Sequence, residues 1–287
     1  MQNIEQSTLC RDVPISTLCD VKLWNHFSVL TVLYIPFGLL LLLFRLLLIG
    51  AYGLVFPIFP RAKRKSVYRG FIRLLGIRVR CNMTPEAVGH HTAGCVVASP
   101  HVSIFDHIPG LAMPHATLMI DKADSPLGKF VGYILFKGSN SSYWLVRNQR
   151  QLVQCFREWH KDPEKHALYI TPEATLNNGQ ALFRFRPEFM IRGQPVVPIA
   201  LKVKLPFGLS PSPMMSPGYI RFMTILMMPY IHFEVAYLDK LHYYSREQTP
   251  QAFADSVQQD IADYLKIPAT HWTRDDKYSY REQLKQL

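Results

Sequence analysis

No two of the five cysteines (Cys10, Cys19, Cys81, Cys95, Cys155) stand in a C-x-x-C pair, and their number is odd. Both a disulfide scaffold and a zinc finger are disfavoured on that ground. Charge is scarce as well, at 18% of 287 residues, while 48% are hydrophobic. Such a chain is too apolar for wholesale disorder and long enough to bury a sizeable core. Acids are the scarcer sign, 21 against 32 basic residues, for a formal charge of +11. They are missing altogether from residues 61–80, RAKRKSVYRGFIRLLGIRVR, which hold eight Arg or Lys and so most of the excess.

Directly before that basic run lies the longest apolar stretch, Phe27 to Pro60, interrupted by the single charge of Arg45. A greasy segment followed by a basic cluster is a membrane signature, the cluster facing the cytosol where anionic headgroups attract it. A nucleic-acid patch would not sit beside 34 nearly uncharged residues. A cleavable signal peptide fits no better, because the run starts late, is too long and lacks a small-residue cleavage site. As one straight helix it would measure about 51 Å, beyond a bilayer core of about 30 Å. Two arrangements follow: a single span over roughly Phe27 to Leu48, or a hairpin turning near Pro36-Phe37-Gly38 with both ends cytosolic. Lys22 and the cluster from Arg61 to Lys65 suit a shared side and favour the hairpin.

After residue 80 short β-like runs alternate with helical ones. The runs are 94–99, 117–121, 143–147, 166–171, 195–201 and 230–238. Between them, Leu152, Cys155, Phe156 and Trp159 recur at helical spacing. Phe253, Val257, Ile261, Tyr264 and Leu265 do so again behind a Thr249-Pro250 start. The pattern predicts an α/β domain with a mixed sheet flanked by helices and an N-terminal membrane-embedded helical segment. The division that follows is a cytosolic tail over 1–24, a membrane segment over 25–60, a basic juxtamembrane region over 61–80, an α/β domain over 81–245 and a helical segment over 246–287. Residues 206–217, with four prolines, read as a loop. The apolar run Gly218 to Tyr230 reads equally as a second membrane contact or a buried helix.

Chemistry begins where the first of these strands ends, in GCVVASPHVSIFDH. His101 and Asp106 are five apart. A histidine with a free nitrogen takes a proton from a hydroxyl, and a carboxylate on its other nitrogen fixes the tautomer and stabilises the imidazolium. The spacing alone is weak, since His271 and Asp276 repeat it without a preceding strand. Three further blocks give it context: SSYWLVR ending in Arg147, TPEATLNNG around Glu173, and PVVPI at 195–199.

These four blocks, in this order and spacing, resemble the glycerophospholipid acyltransferase family over roughly residues 70 to 240. In that family the blocks run N-H-x4-D, G-x-x-F-x-x-R, E-G-T and a V-P-V-like run. The resemblance implies His101 as catalytic base and Asp106 as its orienting partner, with Arg147, Glu173, Ala174 and Thr175 binding substrate. It implies no bound cofactor and no metal, acyl-CoA as co-substrate, and a glycerol-phosphate or lysophospholipid acceptor. Membrane lipids are then the expected partners, nucleic acid is not, and protein partners are undefined. Three departures stand out: Pro100 for asparagine, Ser141 for glycine and Ala174 for glycine. The last is costly if that position needs a positive φ.

Within the family the chain is most similar to a lipid-droplet and endoplasmic-reticulum branch. The likeness rests on the apolar N-terminal segment, the third block and a T-x-x-D-K segment (Thr273, Asp276, Lys277). Members of that branch carry a ubiquitin-binding CUE domain after this region, expected to be absent from a sequence ending at Leu287. The functional expectation is a membrane-anchored, acyl-CoA-dependent glycerolipid acyltransferase facing the cytosol. The rival is a catalytically silent adaptor of the same location. Each residue also has a plainer reading: His101 satisfied in a turn, Arg147 paired with an acid, Glu173 an acid at a helix start, His107 a solvated neighbour. Asn177-Asn178-Gly179 reads first as a turn. Lys122, Lys129 and Lys137 read first as ordinary surface charges, the alternative being contact with an acyl-CoA phosphate tail.

Overall fold

The computed structural model describes residues 9–10, 12–25, 28–107, 117–120, 126–138, 142–146, 148–161 and 166–286. Its first long element begins at Ser28. The Ser28 hydroxyl accepts from the Thr31 amide and the Ser28 amide donates to Thr31 Oγ1, closing a capping box. Helix α1 then runs from Val29 to Val55, about 40 Å, straight through Pro36. The hairpin expected at Pro36-Phe37-Gly38 does not form. The middle of α1 packs against helix α6, Gly218–Met227, and its C-terminal part against Phe71 and Gly138, and the helix stays continuous despite the bond that Pro36 forfeits.

Thr31, Gly38, Arg45, Ile49 and Tyr52 make up the buried face of α1. The Arg45 guanidinium donates to the carbonyls of Leu226 at 2.8 Å, Met228 at 2.5 Å and Pro229 at 3.1 Å. Tyr34 adds a bond to the Met227 carbonyl at 2.9 Å. These carbonyls end α6 and have no partner within it, so α1 caps a helix about 180 residues away. At Gly38 a Cβ would stand 3.3 Å from the Met227 oxygen, which is why the two backbones meet there. The opposite face of α1 leaves Leu33, Phe37, Leu40, Leu47 and Leu54 exposed. The run 218–230 is thus helical as far as Met227, with Phe222, Thr224, Ile225 and Leu226 buried and Tyr219 and Tyr230 exposed at its ends. Helix α2, Arg61–Leu74, carries the basic run and buries Tyr68, Phe71 and Ile72.

Seven strands follow: β1 Ile77–Cys81, β2 Val96–Ala98, β3 Thr117–Ile120, β4 Ser142–Leu145, β5 Leu168–Ile170, β6 Val196–Lys204 and β7 Ile231–Tyr237. They form one mixed sheet in the order β1-β7-β6-β2-β5-β3-β4, in which only β6 and β7 run antiparallel. The sequence reading missed β1. Its Ile-Arg-Val-Arg-Cys alternation buries Ile77 and leaves Arg78 and Arg80 outward, as befits an edge strand.

Side chains alternate across the sheet. Val97, Tyr169 and Val197 join α1, α2 and α6 on one face, together with helix α3, Pro85–Thr92. Val96, Ala98, Leu168, Ile170 and Val196 join α5, Gln149–His160, and α7, Pro250–Leu265, on the other. The short helix α4 spans Pro126–Gly132. Asn148 caps α5 and Thr249 caps α7 through their side chains, and Pro250 opens α7 as expected. Helix α8, Arg274–Gln286, comes last, with the Asp276 carboxylate bonded to the Thr273 amide and hydroxyl at its start. Asp276 is therefore a capping group and forms no pair with His271.

Candidate active site

Strands β2 and β5 are parallel neighbours, so their carboxyl ends open on the same edge of the sheet. In such sheets that edge is where ligands bind. Each strand releases a loop whose third residue carries a functional group, His101 after Ala98 and Glu173 after Ile170.

The first loop folds around Asp106, which is fully buried. Its carboxylate accepts from the Val102 amide at 2.5 Å and from the Ser103 amide at 2.9 Å, so the chain turns tightly back on itself. The turn brings His101 Nδ1 to 3.1 Å from Asp106 Oδ2. With Asp106 ionised, Nδ1–H donates and Nε2, on the far edge of the ring, keeps its lone pair. Burial pushes the Asp106 carboxyl above its ordinary value, against the pull of His101 and of the two amides. His107 packs its ring edge-on to Tyr169, 5.6 Å away, and 6.0 Å from the His101 ring. Burial first, and the His101 charge second, lower its pKa to about 3, so it stays neutral at pH 7. Half-buried, it packs on Tyr169 and also lines the cavity that opens over this edge of the sheet, so it is no freely solvated neighbour.

The second loop grips the first. The Glu173 carboxylate has no exposure and accepts from the His101 amide at 2.9 Å, the Phe183 amide at 2.9 Å and Asn177 Nδ2 at 2.8 and 2.9 Å. The Asn177 amide donates to the His101 carbonyl at 2.7 Å, so both backbone groups of His101 are tied to this loop. Burial raises the Glu173 pKa to about 8, opposed by the bonds from Asn177 and the His101 and Phe183 amides. Glu173 therefore faces the protein interior and positions His101; neither the helix-start reading nor direct contact with the cavity describes its side chain. Ala174 takes a φ of +52°, the left-handed region that favours glycine.

A cavity of about 700 Å³ opens over this edge. His101, Ala174 and Thr175 line it, as do Leu152 of α5 and Met214 of the 206–217 loop. Among the described residues five cations reach it, Arg186, Arg221, Arg274, Lys277 and Arg281, against one acid, Glu188. Arg186 pairs with Glu188. Of the other four, Lys277 stood out in the sequence only as part of the T-x-x-D-K segment, with no role at the site, and the three arginines escaped the sequence reading, which had no pattern to connect α6 and α8 with a histidine more than 100 residues earlier. Among the described residues no group of three His, Cys, Asp or Glu has a metal-binding arrangement.

Of the remaining expectations, Arg147, Ser141 and Lys122 lie outside the described residues. Trp144 is half-buried on β4, Lys129 is exposed on α4, and the side chain of Lys137 is not among those described. Val196 to Ile199 are buried in β6, next to β2, with no polar group to contribute.

No protein-family model matches the chain. The human protein "Lysophospholipid acyltransferase LPCAT4" is 26% identical over 209 residues, 70% of this chain and 38% of that one. The Xenopus tropicalis "Lipid droplet-regulating VLDL assembly factor AUP1" is 25% identical over 260 residues, 88% of this chain and 60% of the other. The chain resembles the glycerophospholipid acyltransferases. It spans well under half the length of the lysophospholipid acyltransferases it matches. Among solved structures, the 1-acyl-sn-glycerophosphate acyltransferase PlsC of Thermotoga maritima superposes with a TM-score of 0.48. It is 15% identical and covers 81% of this chain and 98% of its own.

Proposed function

We propose that the chain is a membrane-associated O-acyltransferase that moves a fatty acyl group from acyl-CoA to a hydroxyl of a glycerol phosphate or lysophospholipid. The observation that carries this reading is the buried Asp106 holding His101 by Nδ1, while the same ring lines a cavity of about 700 Å³. In the reaction, His101 Nε2 takes the acceptor's hydroxyl proton as the oxygen attacks the thioester carbon. The new C–O bond gives a tetrahedral intermediate. Its collapse breaks the C–S bond, and the CoA sulfur leaves with the proton from Nε2. Asp106 stabilises the imidazolium between these steps and needs no proton of its own. Glu173 and Asn177 hold the His101 backbone so that the ring keeps its position through both. Arg147 and Thr175 are assigned to the acceptor.

The exposed apolar face of α1, with basic α2 following it, supports docking on an anionic bilayer surface. In keeping with the AUP1-type relatives, the location proposed is the cytosolic side of the endoplasmic reticulum or a lipid droplet. The test is acyl transfer from labelled acyl-CoA to a panel of lysolipids and glycerol phosphates in liposomes. Wild type should transfer, His101→Ala should not, and Asp106→Asn should fall by roughly two to four orders of magnitude. Equal transfer by the His101 variant would sink the mechanism. One observation favours a second reading, a catalytically silent adaptor: alignment with AUP1-type relatives extends over 88–90% of the chain, against 63–70% for the lysophospholipid acyltransferases. Folded, membrane-bound wild type that transfers to no acceptor would support it.

A further inference from the structure

Four cations line the cavity, and among the described residues their only acidic company is the exposed Asp275 beside Arg274 and the interior Glu173 carboxyl, which acts on Lys277. Arg221 comes from α6, and Arg274, Lys277 and Arg281 share one face of α8, spaced three and four apart. Arg274 has only the exposed Asp275, at 3.4 Å, and the ring of Tyr278. Lys277 is nearly buried and donates to the Leu176 carbonyl, with the Phe183 ring 5.5 Å from its amine. Arg221 and Arg281 are the exceptional pair. Each buries its Nε–H with no acceptor, and among the described residues neither meets a carboxylate. Their charges repel each other and both act on Lys277. Buried N–H groups are nearly always bonded, and like charges are not gathered without an opposing one. A ligand anion supplies both the acceptors and the charge. The planar guanidinium fork suits phosphate oxygens two at a time.

We propose that Arg221 and Arg281, backed by Arg274 and Lys277, form a phosphate-binding wall in the cavity that His101 lines. Its ligand class is an organic phosphate whose reacting end reaches the histidine. The assignment rests on the acyl-transfer reading only for what lies at that end; the binding itself does not depend on it. Two sources share the chemistry, the phosphate of the acceptor and the phosphates of CoA.

The test is calorimetric binding to the full chain in nanodiscs, with CoA, glycerol 3-phosphate and inorganic phosphate as probes. Pantetheine and glycerol serve as phosphate-free counterparts. At least one organic phosphate should bind wild type at least tenfold tighter than its counterpart. Arg221→Gln and Arg281→Gln should each weaken that binding by roughly tenfold or more, with affinity falling as salt rises. Loss confined to CoA assigns the wall to the donor; loss confined to glycerol 3-phosphate assigns it to the acceptor. Where a glutamine variant melts early, Arg221→Lys and Arg281→Lys keep the charge without the fork and should lose part of the affinity. Unchanged affinity in the folded variants, or no preference for phosphate over the counterparts, overturns the proposal. The two readings fail separately. Phosphate binding without acyl transfer removes the enzyme and leaves the wall, whereas normal transfer by Arg221→Gln and Arg281→Gln with unchanged binding removes the wall and leaves the enzyme.

Discussion

Ala174→Gly should make the protein more stable, the reverse of what glycine does at most positions. Ala174 holds φ at +52°, while its amide bonds the Thr171 carbonyl at 3.0 Å in a turn that glycine can keep unchanged. A left-handed backbone costs an L-residue about 1–2 kcal/mol. Glycine returns about 0.5–1 kcal/mol of that through the greater freedom of its unfolded state. The methyl is only half-buried, so its removal costs a few tenths more. The balance is roughly 0.3–0.7 kcal/mol in favour of glycine. For a domain of this size that is a rise in Tm of roughly 1–3 °C. Differential scanning calorimetry of both proteins in the same detergent resolves such a shift. An unchanged or lower Tm would refute the claim that this residue is strained. Because Ala174 lines the cavity, acyl transfer measured on the same samples also shows whether its methyl restricts the substrate.

Glu173→Gln keeps shape but replaces one acceptor oxygen with a donor, facing a ring of N–H groups from His101, Asn177 and Phe183. We expect a loss of about 2–4 kcal/mol in denaturant unfolding, and a loss under 1 kcal/mol would count against the clamp. Stability should also fall on acidification through His107. Its folded pKa lies near 3, below its ordinary 6.5. As pH drops below 6.5 the unfolded chain takes up the proton first, so this contribution, complete above 6.5, is lost toward pH 3. Glu173, raised to about 8, slopes the other way between 4.5 and 8, so the measurement is the difference between wild type and His107→Gln. The variant should show the shallower acid-side slope in thermal melts, and identical slopes would rule the histidine out.

The mixed sheet, α5 and α7 were legible because their apolar residues repeat at strand or helix period and their caps are explicit in Asn148 and Thr249-Pro250. Strand β1 was not, because its arginines belong to a run whose density of charge masks a period of two. The continuity of α1 was hidden for a different reason. Pro36 and Gly38 read as a turn, and only contact with α6, 180 residues on, gives Gly38 its use as a place of close approach. At the site, His101 and Asp106 were visible because one short loop contains both. Glu173 was visible as a residue but not as a role, since a carboxylate turned inward and one turned toward ligand look alike in sequence. Arg221 and Arg281 gave no local signal, because their neighbourhood is assembled from a helix under α1 and another beyond α7.

The bonds of Arg45 also carry a schedule. Its three carbonyl partners belong to residues 226–229, so the ribosome must add about 180 residues after the charge appears before it has anything to bond. Until then an otherwise apolar helix carries an unneutralised guanidinium, and only water or lipid headgroups can satisfy it. Helix α1 is thus synthesised well before the carbonyls that its one charge bonds. Arg281, which lines the cavity from α8, follows those carbonyls by about 50 further residues.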